Sequence, residues 1–216
     1  MYNKEEIVSK IKGLYVIIDS QLAAGKDEIE LSRQVLDGGA SVIQLRDKSQ
    51  NMNKLLEKAI RIKDLCEKYG AIFIVNDYPD IALDSEAHGV HVGQQDMPID
   101  AVRRIIKQDQ IIGNSNALSE EAIDSVKNGV DYLAVGAIFP TNTKQNTRPA
   151  GLETLKEVRT ISTLPLVAIG GINIGNIKSV IEAGADAVCV ASAVIGQNSP
   201  EAAARRLIEE FSFKRD

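Results

Sequence analysis

The sequence predicts an α/β fold, a single (β/α)8 TIM barrel of parallel strands, and three observations predict it. Short apolar runs alternate with helical patterns along the whole chain, and eight of those runs read as strands. The runs are mostly continuous in their apolar character, as in a parallel sheet covered on its outside by helices. A recurring segment, at residues 38–43, 128–133 and 183–188, ends a helix at glycine and starts a β-rich run. Glycine suits the left-handed position that closes a helix. Eight units in 216 residues leave about 27 residues for each, enough for one βα unit, so residues 1–216 are assigned to one domain. An open doubly wound sheet is the rival, but no GxGxxG follows the first strand and no Walker loop is present.

Taken in order, residues 1–13 form an N-terminal helical extension ahead of the first strand. The strands are expected at 14–19, 42–45, 72–76, 89–92, 111–113, 132–135, 166–169 and 187–190. Asp27 with Glu30 three residues on is a capping-box signature for the first interior helix. Met52, Leu55, Leu56, Ala59, Ile60 and Cys66 recur with helical period and mark the apolar face of the next one. Ser119 and Asn173 are expected to cap later helices.

Composition bounds the function. Lys and Arg total 25 against 30 for Asp and Glu, a net charge of −5, and no basic run offers a footprint for nucleic acid. An anionic ligand must then be held by a few local cations and backbone amides. Trp is absent and aromatics are 4%, so the core is aliphatic. Cys66 and Cys189 lack metal-ligand spacing and read as small buried hydrophobes of a reducing compartment. Residues 1–6 carry no signal-peptide pattern, and no window reaches the apolar length of a membrane span. A cytoplasmic protein without membrane contact is expected; a homo-oligomer is compatible with the sequence.

In such a barrel the chemistry gathers at the C-terminal ends of the strands. Strand two ends in Gln44-Leu45-Arg46-Asp47-Lys48, whose alternation places Gln44, Arg46 and Lys48 on one side. A solvated loop with a surface ion pair is one reading; anion binding is favoured, because polar groups converge there on a barrel mouth. Strand three ends in Asn76-Asp77 and strand four in Gly93-Gln94-Gln95-Asp96. Asp77 reads either as a cap of the helix beginning near Pro79 or, with Asp96, as half of a carboxylate pair suited to Mg2+. Ser115, after strand five, reads as a donor to a ligand oxygen or as a turn cap. Residues 139–151 make a long polar loop whose Thr141, Thr143, Lys144 and Arg148 match the needs of a polyphosphate and suit a lid. Strands seven and eight end in Gly170-Gly171 and Ala191-Ser192, where barrels often hold a phosphate on backbone amides. His88 and His91 have no partner at metal spacing and are read as packing or hydrogen-bonding residues. No nucleophile–base pair stands out.

These motifs together resemble those of the thiamine-phosphate synthase family over nearly the whole chain. The resemblance rests on Gln44-Leu45-Arg46-Asp47-Lys48, Asn76-Asp77, Gly93-Gln94-Gln95-Asp96, Thr141-Asn142-Thr143-Lys144 and Gly170-Gly171-Ile172, each after the expected strand. It implies a transferase that condenses 4-amino-2-methyl-5-(diphosphooxymethyl)pyrimidine with 4-methyl-5-(2-phosphooxyethyl)thiazole, giving thiamine phosphate and pyrophosphate. It implies that Gln44, Arg46, Lys48, Asn76, Ser115, Thr141, Thr143 and Lys144 bind the pyrimidine and its diphosphate, with Arg46, Lys48 and Lys144 catalytic. Asp77 and Asp96 would hold Mg2+, and Gly171, Ala191 and Ser192 the thiazole phosphate. The sequence departs from the family pattern at Asn116-Ala117, where many members carry His, and at Ala191, where Ile or Val is more typical. A thiazole tautomerase of the same superfamily is the nearest alternative, and a non-catalytic phosphate-binding barrel is another.

Overall fold

A computed structural model describes residues 2–49, 51–141, 143 and 147–211. Eight strands, β1 (Gly13–Asp19), β2 (Val42–Arg46), β3 (Ile72–Asn76), β4 (Gly89–Val92), β5 (Ile111–Asn116), β6 (Tyr132–Val135), β7 (Leu166–Ile169) and β8 (Ala187–Val190), close in chain order into one barrel. Every neighbouring pair is parallel, and the ring closes where β1 pairs with β8 from Gly13 opposite Ala187 to Val16 opposite Val190. The fold class expected from the sequence is the fold observed.

The helices α1 (Lys4–Ser9), α2 (Glu28–Asp37), α3 (Met52–Tyr69), α4 (Pro79–Asp84), α5 (Ile99–Ile105), α6 (Ser119–Lys127), α7 (Gly151–Ile161), α8 (Ile177–Glu182), α9 (Ser192–Ile195) and α10 (Pro200–Glu209) complete the chain. Strand alternation sorts the core into two layers. Val16, Ile18, Ile43, Leu45, Phe73 and Val75 face outward and meet the helices. Tyr15, Val42, Ile72, Ile74, Ile111, Tyr132, Val167 and Cys189 face the lumen, joined there by Ile7 and Ile11 of the N-terminal segment. α1 therefore plugs the end of the barrel where the strands begin. Its entry is secured by a reciprocal capping box, Glu6 N–H to Asn3 at 2.9 Å and Asn3 N–H to Glu6 at 2.8 Å.

Several local expectations are refined. β5 runs on through Asn114, Ser115 and Asn116, because their backbone continues the ladder to β6 and their side chains find partners: Asn114 donates to Val92 O at 2.9 Å, and Asn116 accepts from Ser125 at 2.8 Å. Asp27 does cap α2, accepting from Ile29 and Glu30 N–H at 2.8 and 3.2 Å, but Glu30 turns away to Arg33 at 2.9 Å instead of completing a box. On α3 the buried seam is Leu55, Ala59, Ile62 and Cys66, while Ile60 is 42% exposed. At 100° per residue, position 60 turns off the seam and 62 replaces it. Ser119 begins α6 without capping it; Glu121 accepts from Ala117 and Leu118 N–H instead, at 2.8 and 3.3 Å. Asn173 lies one turn ahead of α8 and accepts from Gly175 N–H at 2.8 Å. The repeated glycines behave as expected: Gly39, Gly129 and Gly184 all have left-handed φ values, 97°, 81° and 103°.

Cys66 and Cys189 are buried, and burial pushes both thiols up. Among the described residues no helix is long and apolar enough to cross a membrane. His88 sits beside the plugged end, where Nδ1 accepts the Phe73 N–H at 2.9 Å. That bond requires an unprotonated Nδ1, and burial lowers the imidazole to about 4; Glu67 opposes this, Lys63 and Lys10 add to it.

Because protonated His88 is favoured in the unfolded chain, its contribution to stability is full above the ordinary value of 6.5 and falls as pH drops toward about 4. The expected loss across that window is about 3 kcal/mol at most. In urea unfolding at pH 7 and pH 4.5, His88→Gln should narrow the stability gap shown by the parent protein; an unchanged gap would refute the assignment.

Candidate active site

The strand ends surround a cavity of about 1240 Å³ at the C-terminal mouth of the barrel. It is larger than the about 300–1,000 Å³ typical of a single-ligand pocket. Gln44, Arg46, Lys48, Asn76, Asp77, Asp96, Ser115, Thr141, Thr143, Gly171, Ala191 and Ser192 all line it. The structure thus brings together every site residue expected from the sequence, with one exception: Lys144 lies outside the described residues, as does Asn142 of the same motif.

One side of the mouth is charged. Arg46 ends β2 directly opposite Asp19 in the β1 register, and the two form an ion pair. Asp19 is 2% exposed and also accepts from Gln21 and Leu22 N–H at 2.9 and 3.2 Å, so its orientation is set by backbone as well as by charge. Next to it Asp47 turns out of the cavity to Lys58 at 2.9 Å and Ser49 N–H at 2.8 Å. Burial works to raise the Asp47 carboxyl, yet these donors prevail and hold it at about 2. Lys58 reaches on to Glu28 at 2.6 Å, tying the β2 end to the helix layer.

Asp77 does not cap α4, whose N-cap is Tyr78 without a side-chain bond. It adopts a left-handed backbone, φ 67°, with its N–H donating to His91 O at 2.9 Å, and its carboxylate pairs with Lys48. A residue other than glycine in that region is uncommon, although Asp tolerates it better than most. Burial raises the Asp77 carboxyl, Lys48 opposes the rise, and the charge of Asp96 adds to it. Asp96 is held close by Gly93 N–H at 2.7 Å. Two carboxylates therefore stand near one another at the cavity, one of them paired with Lys48. Among the described residues no group of three or more His, Cys, Asp or Glu gathers to hold a metal. This donor set of two hard oxygens suits an ion that completes its shell from ligand and water.

The opposite side is built from backbone and hydroxyls. Gly171 has φ 65°, and a Cβ there would come 2.5 Å from Pro140 O, so only glycine fits where β7 passes under the long loop. Its carbonyl is occupied by Asn176 Nδ2 at 3.0 Å. Ser192 begins α9, a single turn in which the Val194 and Ile195 N–H groups donate to Ala191 O at 2.9 and 3.0 Å. Thr143 reaches to within 3.4 Å of the Ser192 hydroxyl, so the polar loop spans to the β8 side instead of lying wholly over Arg46. Arg148, expected as a polyphosphate donor, is committed to a bidentate pair with Glu121 at 2.6 and 2.9 Å and braces the root of the loop.

Sequence reading missed what lies beneath. Gln44 Nε2 donates to the Tyr15 hydroxyl at 2.7 Å, Tyr15 meets Tyr132 at 3.1 Å, Tyr132 meets His91 Nδ1 at 2.9 Å, and His91 Nε2 meets Ser115 at 2.8 Å. The tyrosines stand in strands that otherwise read as apolar core. The available signal was parity: Tyr15 and Gln44, like Tyr132, His91 and Ser115, occupy lumen-facing positions. Asp19 had the same kind of signal, as the last residue of β1.

Residues 14–194 match the thiamine monophosphate synthase family. Thiamine-phosphate synthase of Shouchella clausii is 44% identical over 196 residues, covering 90% of this chain and 94% of its own. That of Methanocella arvoryzae is 46% identical over 195 residues, covering 90% and 92%. Thiamine phosphate pyrophosphorylase from Pyrococcus furiosus superposes with a TM-score of 0.89 at 38% identity, covering 96% of this chain and 98% of its own. A 3-hexulose-6-phosphate synthase at 19% identity and TM-score 0.70 shares the fold.

Replacing Asp19 tests the charged side. Asp19→Ala removes an acceptor of two backbone N–H groups and the partner of Arg46, and should cost about 3 kcal/mol in chemical denaturation. Asp19→Asn keeps an acceptor without the charge and should cost less, about 1 kcal/mol. Equal losses would show that the charge contributes nothing.

Proposed function

The chain belongs to the thiamine monophosphate synthase family, and on that premise we propose that it condenses 4-amino-2-methyl-5-(diphosphooxymethyl)pyrimidine with 4-methyl-5-(2-phosphooxyethyl)thiazole, forming thiamine phosphate and pyrophosphate. One observation carries the reading: a single cavity holds a charged side, where Arg46 and Lys48 stand among Asp19, Asp77 and Asp96, and, across a neutral floor, a backbone-and-hydroxyl side at Gly171 and Ser192. Two phosphorylated substrates need two such sides facing one another.

Arg46, Lys48 and Lys144 take the diphosphate, Gln44, Asn76 and Ser115 the pyrimidine, and Gly171, Ala191 and Ser192 the thiazole phosphate. Thr141 and Thr143 belong to the lid over both, and the 3.4 Å approach of Thr143 to Ser192 favours its serving the phosphate side. Asp77 and Asp96 would hold Mg2+, whose charge, when bound, offsets that of the leaving diphosphate. In the reaction the methylene C–O bond breaks and its electron pair leaves with the diphosphate. The amino group of the pyrimidine delocalises the charge left on the methylene carbon, and the thiazole nitrogen lone pair forms the new C–N bond. That nitrogen carries no proton to lose, so no general base is required. Arg46 and Lys48 act by being in place already, their ion pairs with Asp19 and Asp77 fixing them where negative charge grows. The lid excludes water from the cationic carbon.

Incubating both substrates with Mg2+ should release pyrophosphate; none would refute the synthase and leave a tautomerase or a sensor. Asp77→Asn should lower turnover by about a hundredfold or more. Independently of turnover, Mg2+ with pyrophosphate should raise the Tm of the parent protein and not that of Asp77→Asn. An equal rise in both would place the ion elsewhere.

A further inference from the structure

The buried chain beneath the mouth has a direction. Gln44 Nε2 donates to the Tyr15 hydroxyl at 2.7 Å, which leaves the Tyr15 proton for the Tyr132 oxygen at 3.1 Å. In that order Tyr132 donates to His91 Nδ1 at 2.9 Å, so Nε2 carries the imidazole hydrogen and donates to the Ser115 oxygen at 2.8 Å. This order gives every buried hydroxyl hydrogen of the chain an acceptor, whereas the reverse order would leave the Tyr15 hydrogen without one. All five residues line the cavity floor, with Gln44 and Ser115 at the two ends of the chain. At one, the Gln44 amide commits one of its two N–H groups to Tyr15, which fixes the amide's orientation, with Oε1 as its acceptor. At the other, Ser115 has accepted from His91 and holds its hydrogen for a ligand.

Four of its five members are buried. Tyr15 is 1% exposed, Tyr132 0%, Gln44 3% and His91 8%, and burial keeps both phenols in their neutral form. The Tyr132 ring is also fixed sterically, for a Cβ at position 113 would lie 1.9 Å from its Cζ. A hydroxyl so deeply placed costs stability unless bonded, and a packed aromatic core needs no such chain.

We propose that Tyr15, Tyr132 and His91 are positioning residues whose hydrogen-bond chain presents Gln44 as an acceptor and Ser115 as a donor, so that the floor selects an aminopyrimidine over its oxo counterpart. The inference rests on the reading of this cavity as an aminopyrimidine site. An amino group supplies the N–H that Gln44 Oε1 needs and a ring nitrogen supplies the lone pair that Ser115 needs. An oxo group would set oxygen against oxygen at Gln44. A site built on such bonds rejects the mismatched analogue strongly, because its own buried groups are left unpaired. Tyr132→Phe keeps the ring and cuts the chain in the middle, freeing the Gln44 amide and the His91 imidazole to turn.

Calorimetry with 4-amino-5-hydroxymethyl-2-methylpyrimidine and its 4-oxo analogue reads the selection without turnover. The parent protein should prefer the amino compound by about a hundredfold or more, and Tyr132→Phe should bring that preference to about tenfold or less. Steady-state kinetics should show KM for the pyrimidine diphosphate rising about tenfold while KM for the thiazole phosphate is unchanged, a split that a general loss of structure would not give. Tyr15→Phe cuts the adjacent link and should act alike; it serves in place of Tyr132→Phe if that variant does not fold. Equal affinity of the parent for both pyrimidines, or variants that retain the full preference, would overturn the proposal. Absence of pyrophosphate release with the preference intact would overturn the synthase reading alone.

Discussion

Closure of the eight parallel strands is the constraint on which everything else depends. A closed parallel ring has one inside, and alternation sends every second residue into it. Its register makes Asp19 a neighbour of Arg46 and Asn76 a neighbour of His91, although the members of each pair are far apart along the chain. The lumen then grades from one end to the other. Val42, Ile72 and Ile111 pack with Ile7 and Ile11 at the plugged end, neutral hydroxyl and amide groups follow, and Asp19, Arg46, Lys48, Asp77 and Asp96 stand at the mouth. That order minimises desolvation cost, because ions sit where water or a polar ligand reaches them.

Charge at the mouth is arranged in opposed pairs. Arg46 is held by Asp19 and Lys48 by Asp77, while Asp77 also faces Asp96. Cations held in this way are positioned before a ligand arrives, which avoids reorganisation when negative charge develops. The like-charged carboxylates do the reverse: burial and mutual repulsion leave Asp77 short of positive charge, a deficit that a hard cation relieves. A net charge of −5 is therefore compatible with anion binding, since local placement outweighs the total.

Much of this was legible in the sequence. Five strands have the bounds expected and β1 and β2 differ by one residue, because continuous apolar runs between glycine-marked helix ends leave little freedom. β5 was the shortfall: Asn114, Ser115 and Asn116 extend it by backbone pairing that no apolar pattern announces. Gln44, Arg46, Lys48, Asp77 and Asp96 were legible because polar residues at strand ends have one place to go. The partner of Arg148 was not legible, since nothing local reveals that Glu121, from α6, would take both arms of its guanidinium. Asp77 had two readings, and the structure removes the capping one, since Tyr78 is the N-cap of α4 and the Asp77 carboxylate turns to Lys48.

The sequence by itself determined the fold class and the rim of the cavity, because periodicity and strand-end chemistry are local properties of the chain. Tertiary structure alone decided the partners. Tyr15, Gln44, His91, Ser115 and Tyr132 come from five different strands, and their bonds exist only where closure brings the lumen-facing side chains together. Hydrogen bonds fall off over fractions of an ångström, so a network of this kind is fixed by the register of the whole ring and by no single segment.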